Sequence, residues 1–204
     1  MTFSKNMNFQ TLEQAVTVFT QSPFRLRFEI GPAKLGVWKD IEGNLLAELG
    51  IIEADSFYDE WFNRYHFYNE EYFEQAFFRA VSIFESVFSS KDEVTLLYQK
   101  YSDGRQKIRK GNIIFKQVND IKNKTAVHTA VKDSAYFGNK SACWRQVCWP
   151  QLTIEEINYK NILLSTINMN FGGRNPVIYG DWFFINLTRG IISHLYDDRG
   201  MDEK

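Results

Sequence analysis

Cysteine is nearly missing from this chain, which has only Cys143 and Cys148. Five residues apart on a strand, they would point to opposite faces, so a bridge between them is not expected and no four-thiolate zinc site can form. Long apolar runs are missing as well: none approaches the ~18 residues of a membrane span, and the opening MTFSKNMNFQ has no apolar signal core. Nor is there an excess of charge of one sign, with Lys plus Arg at 24, Asp plus Glu at 25 and a net charge of −1. That balance argues against nucleic acid or an anionic membrane as partner. No nucleophile elbow, phosphate loop, dinucleotide fingerprint or HExxH pattern occurs, and nothing calls for a cofactor. The expectation is a soluble cytoplasmic protein.

Aromatic residues are plentiful, with 18 Phe, 10 Tyr and 5 Trp in 204 residues. A chain of this length buries roughly 70% of its unfolded surface as one domain, so it needs no disulfide to fold. The spacing of Leu12, Ala15, Val16 and Phe19 predicts an N-terminal helix within residues 1–23. Phe24 to Ile30 alternates as a half-buried strand ended by Gly31-Pro32, and 33–67 reads as an irregular elaboration.

Asn69 as N-cap, Glu70 and Glu71 in the first turn and a stripe of Phe73, Phe77, Val81, Phe84 and Phe88 predict a helix of about 18 residues. Val94 to Tyr101 predicts a strand, Asp103-Gly104 a hairpin turn, and Ile108, Ile113 and Phe115 returning strands. Residues 119–139 read as a long loop. Ala142 to Trp149 alternates as a strand closed by Pro150. Thr153 with Glu156 fits a capping box, so a second helix starts there or near Asn158 and stops by Phe171-Gly172-Gly173. The end, DWFFINLTRGIISHLYDDRG, predicts a hairpin turning at Gly190, with positive φ there and at Gly200. The fold class expected is α+β: one domain over 1–204, an antiparallel sheet with two main helices on one face, and a C-terminal β-hairpin.

Three stretches are candidates for function. From Glu53 to Glu74, carboxylates outnumber the single basic residue Arg64 and interleave with rings. Asp59, Glu60, Trp61 and Tyr65 there suit a surface that grips a partner protein, with Asp198 as a further contact. Lys100 to Lys116 is basic, including Lys107, Arg109 and Lys110, and reads mainly as a solvated hairpin face rather than a phosphate-binding one. His194, Asp197, Asp198, Arg199 and Asp202 could assemble a carboxylate and histidine site, carboxylates on a divalent metal and His194 as base. The competing structural reading is a turn in which Asp side chains bond backbone two residues on and Arg199 pairs with a carboxylate. Arg174, after the glycines that end the second helix, reads as part of a C-cap rather than an anion cradle, because helix C-termini repel anions.

The stretches FRLRFEIG, NEEYFEQAFFRAVSIFESVF, DEVTLLYQKYSDGRQKIRKGNIIFKQV, NYKNILLSTINMNFGGRNP and FFINLTRGIISHLYDDRGMD resemble the bacterial domain of unknown function 3885 family of Bacillus-like organisms, whose marker is YDDRG. The resemblance spans most of the chain and implies no activity and no catalytic residue. It implies a further helical segment after the marker in relatives, where this sequence stops at Lys204. Small bacterial proteins with aromatic, acid-bearing α+β domains resemble immunity proteins of toxins, an analogy of fold and context. The expected function is therefore a non-enzymatic protein-binding domain, an immunity protein neutralising a toxin domain. The alternative is a metal-dependent hydrolase of nucleotides or phosphoesters built on His194, Asp197 and Asp198.

Overall fold

A computed structural model describes residues 26–32, 34–39, 67–103, 107–109, 112–119, 126–132 and 142–203. The expected N-terminal helix and the acidic residues 53–66 lie outside them. The described strands are β1 (Leu26–Glu29), β2 (Trp38–Lys39), β3 (Phe67–Tyr68), β4 (Glu93–Asp103), β5 (Val127–Lys132), β6 (Ala142–Thr153), β7 (Asp181–Asn186), β8 (Ile191–Leu195) and β9 (Gly200–Glu203). Two helices, α1 (Glu70–Val87) and α2 (Tyr159–Ile167), complete the frame. Seven strands form one antiparallel sheet in the order β1-β9-β8-β7-β4-β6-β5, and β2 pairs with β3 alone. The class is α+β, as the sequence predicts.

Both helices lie on one face of the sheet because each has an apolar stripe to bury. Tyr72, Phe73, Ala76, Ala80 and Phe84 are the buried side of α1. Phe77 and Val81, which the sequence places on that stripe, are half-buried. The small Ala76 and Ala80 sit innermost and let the helix backbone approach the sheet. Phe84 stacks on Tyr159 of α2 at 4.7 Å and meets Phe184 edge-on at 4.8 Å. Burying one such ring contributes about 1.5–3 kcal/mol. The helix is 18 residues long, matching the prediction. Asn69 precedes it without a side-chain cap, because its amide donates to the Gly36 carbonyl at 2.9 Å. At the other end Arg189, in the β7–β8 turn, donates to the Val87 carbonyl and to Asp92, placing a cation at the helix C-terminus.

The opposite face of the sheet carries a second buried cluster, Leu97, Cys148, Phe183 and Ile185. Cys143 and Cys148 are both buried, and burial pushes the Cys148 thiol up to about 12. No helix among the described residues is long and apolar enough to cross a membrane.

Several local expectations fail for identifiable reasons. Pro150 does not close β6. The strand runs on to Thr153 through a bulge in which Pro150 and Gln151 oppose Thr95 alone, and Gln151 takes φ 56°. A proline in a strand is tolerated at such a bulge because no ladder bond needs its missing N–H. Ile113 to Gln117 is a 3-10 helix rather than a strand, capped by the Asn112 side-chain Oδ1, which accepts the Ile114 N–H. Within the expected loop 119–139, Val127–Lys132 forms β5 on the edge of β6. Of the two starts expected for the second helix, the one near Asn158 is taken, and the Thr153 capping box heads a three-residue 3-10 turn instead.

Candidate functional site

The YDDRG turn, Tyr196 to Gly200, joins β8 to β9, and each of its residues has an assigned partner. Asp197 accepts the backbone N–H groups of Arg199 at 2.8 Å and Gly200 at 3.2 Å. Its other oxygen takes the Arg199 guanidinium through Nε at 3.0 Å and Nη2 at 2.5 Å. A carboxylate that bonds the backbone two residues on is the local device that favours Asp in turns. Asp198 points the other way, is 4% exposed, and accepts the Tyr72 hydroxyl of α1 at 2.7 Å. The Arg199 carbonyl accepts the N–H of Ile30 at 2.9 Å, where β1 ends. The turn therefore ties three separate pieces of chain together: the β8–β9 hairpin, the end of β1 and the first turn of α1.

The glycines at this junction are set by close approach. A Cβ on Gly200 would stand 1.7 Å from the Tyr196 hydroxyl, so the tyrosine lies across the glycine. Gly200 does not take the positive φ expected of it, whereas Gly190 does, at 68°. A Cβ on Gly31 would stand 2.7 Å from the Tyr72 hydroxyl and 3.3 Å from the Asp198 carbonyl. Small residues here let the β1 end and the turn share one space.

Electrostatics follow from burial. Desolvation raises the Asp198 carboxyl above the ordinary aspartate range, opposed by the Tyr72 hydrogen bond. Burial, reinforced by the Asp198 hydrogen bond, pushes the Tyr72 phenol upward and keeps it a donor. Beside the turn lies an open pocket of about 540 Å³ lined by Arg27, Glu29, Gly31, Pro32, Leu35, Tyr72, Tyr196 and Arg199. Arg27 donates through Nε to Asp202 at 3.2 Å and rests over the Tyr196 ring at 5.3 Å. Asp202 is 1% exposed, so a buried carboxylate holds this rim arginine.

His194, Asp197 and Asp198 are held by different neighbours. The His194 ring stacks on Phe183 at 4.4 Å and its Nε2 lies 3.9 Å from Asp181, on the sheet face away from α1, while Asp202 faces it across the β8–β9 ladder. Asp198 reaches α1. Among the described residues no group of three His, Cys, Asp or Glu side chains is placed to hold a metal ion. Arg174 donates to Asn168 at 2.9 Å and Glu70 at 2.6 Å and covers the Phe73 ring at 3.6 Å, linking the end of α2 to the start of α1. Lys107, Arg109 and Lys116 belong to the described part of the basic stretch, and Lys110 does not. Asp59, Glu60, Trp61 and Tyr65 lie outside the described residues.

Sequence reasoning missed Arg27, Glu29, Gly31 and Tyr72 as parts of this junction. Their separation from the marker, 126 positions for Tyr72 and Asp198, leaves no local pattern to read. The one available signal is the β1 alternation, which puts Arg27 and Glu29 on one face of the strand.

No curated protein and no solved structure matches the chain. A family model described as "Domain of unknown function (DUF3885)" matches residues 5–202. With nearly the whole chain covered, and the YDDRG turn at the centre of its tertiary ties, the chain belongs to the DUF3885 family.

Proposed function

We propose that the chain is a non-enzymatic protein-binding domain of the bacterial cytoplasm, acting as an immunity protein that covers a toxin domain. The observation that supports this reading best is the use of the marker carboxylates. Asp197 is taken by its own turn and by Arg199, and Asp198 by Tyr72, so both serve construction. The acidic and aromatic stretch offers the gripping chemistry instead. In the sequence, residues 40–66 lie between β2 and β3, whose pairing sets Trp38 opposite Tyr68 and Lys39 opposite Phe67. That strand pair is firmly seated: Trp38 stacks on Tyr68 at 4.6 Å, the Tyr68 hydroxyl donates to the Gly172 carbonyl at 2.7 Å, and the Asn69 N–H donates to the Val37 carbonyl at 2.8 Å. The sequence between the two strands, with Asp59, Glu60, Trp61 and Tyr65, combines steering carboxylates with anchoring rings. Asp198 contributes by shaping the turn, since its carboxylate is buried.

Co-expression with the toxin domain encoded beside its gene tests this. Growth should be restored by the chain and lost with the double reversal Asp59→Lys, Glu60→Lys, through a slower and less salt-sensitive association. A neighbouring locus without a toxin, or full protection by the double variant, would reject the reading.

A further inference from the structure

The pocket beside the turn has a chemistry of its own, independent of the partner-protein reading. Two guanidinium groups stand at its rim, each fixed from behind by a buried carboxylate: Arg27 by Asp202 and Arg199 by Asp197. The Arg27 bond engages Nε alone, one of five donors on the group. Glu29 lies two residues along the same strand as Arg27, roughly 7 Å away, and its carboxylate has no ion-pair partner among the described residues. Pro32, Leu35 and the rings of Tyr72 and Tyr196 supply apolar wall. The volume, about 540 Å³, suits a small organic ligand rather than a lone inorganic ion.

The charge balance narrows the class. Of the charged groups that line the pocket, Arg27 is paired with Asp202 and Arg199 with Asp197, while Glu29 has no ion pair among the described residues. A multiply charged anion gains little from arginines already neutralised from behind. A ligand with one negative and one positive group can use the remaining guanidinium donors and the unpaired carboxylate together.

We propose that this pocket binds a free α-amino acid with an apolar side chain. Its carboxylate is held by Arg27 and Arg199, its ammonium by Glu29, and its side chain lies against Pro32, Leu35 and Tyr72.

The test is thermal denaturation and calorimetric titration of the full chain with L-leucine, beside isocaproate, which lacks the amine, isoamylamine, which lacks the carboxylate, and inorganic phosphate. Leucine alone should raise the Tm in a saturable way. Glu29→Gln, at an exposed position with no ion pair to break among the described residues, should weaken leucine binding by about tenfold or more while leaving the unliganded Tm in place. Arg27→Gln should do the same; because it leaves buried Asp202 without its arginine and can harm folding, the Glu29 variant decides. No response to leucine or the other common apolar amino acids, an equal response to phosphate or to either half-ligand, or unchanged binding by Glu29→Gln would overturn the proposal. Toxin capture by Glu29→Gln is read separately, so either reading can fail without the other.

Discussion

Asp198 shows how one buried carboxyl sets a measurable pH response. Its folded-state pKa is raised by burial above its unfolded value. Between those two values the folded state holds more proton than the unfolded one, so this residue's contribution to stability falls as pH rises through that window and is level above it. Asp198→Asn keeps an acceptor for Tyr72 and removes the titration. Urea unfolding from pH ~4 upward should therefore show the variant gaining on the wild type as pH rises. A difference that stays flat, or moves the other way, would mean the carboxyl is not desolvated. Tyr72→Phe removes the donor and leaves Asp198 buried without it, at a cost of about 1–3 kcal/mol. Gly200→Ala places a methyl in the Tyr196 ring and should cost about 1–3 kcal/mol or more in the same assay. Gly190, with nothing near its would-be Cβ, suffers only through its backbone angle.

At the scale of elements, the sequence is readable where pattern and partner are local. The length of α1, the alternation through β1 and β6 and the β7–β8 hairpin all come from spacing of apolar residues and from Gly190. The stripe of α1 is displaced because the innermost positions went to Ala76 and Ala80, which a scan for large apolar residues passes over. Ile113 to Gln117 alternates too weakly to separate a strand from a 3-10 turn, and β5 is a short edge strand whose place is set by its pairing with β6. Phe84→Ala should cost about 3–5 kcal/mol, since its ring meets Phe88, Tyr159 and Phe184. Phe78→Ala on the same helix, where the ring is 72% exposed, should stay within about 0.5 kcal/mol. Equal losses at the two positions would mean that α1 is rotated from the orientation described.

Across the whole molecule, the first described strand pairs with the last, Leu26 with Glu203 through Glu29 with Gly200. The YDDRG turn secures that closure from above, by Asp197 within the turn, Asp198 to α1 and the Arg199 carbonyl to Ile30. The marker was visible in the sequence as a dense charged turn, and Asp197 behaves as its residue type predicts. Its three-way tie was not visible, because the other ends sit far away in the chain. These carboxylates are engaged in building the fold, Asp197 within the turn and Asp198 to Tyr72. Thermal denaturation of the wild type and Asp197→Ala with and without Mn²⁺ separates that role from metal binding: the Tm should fall by about 2–8 °C in the variant and be the same with or without Mn²⁺ in both proteins. A Mn²⁺-dependent rise in the wild type that Asp197→Ala abolishes would contradict it.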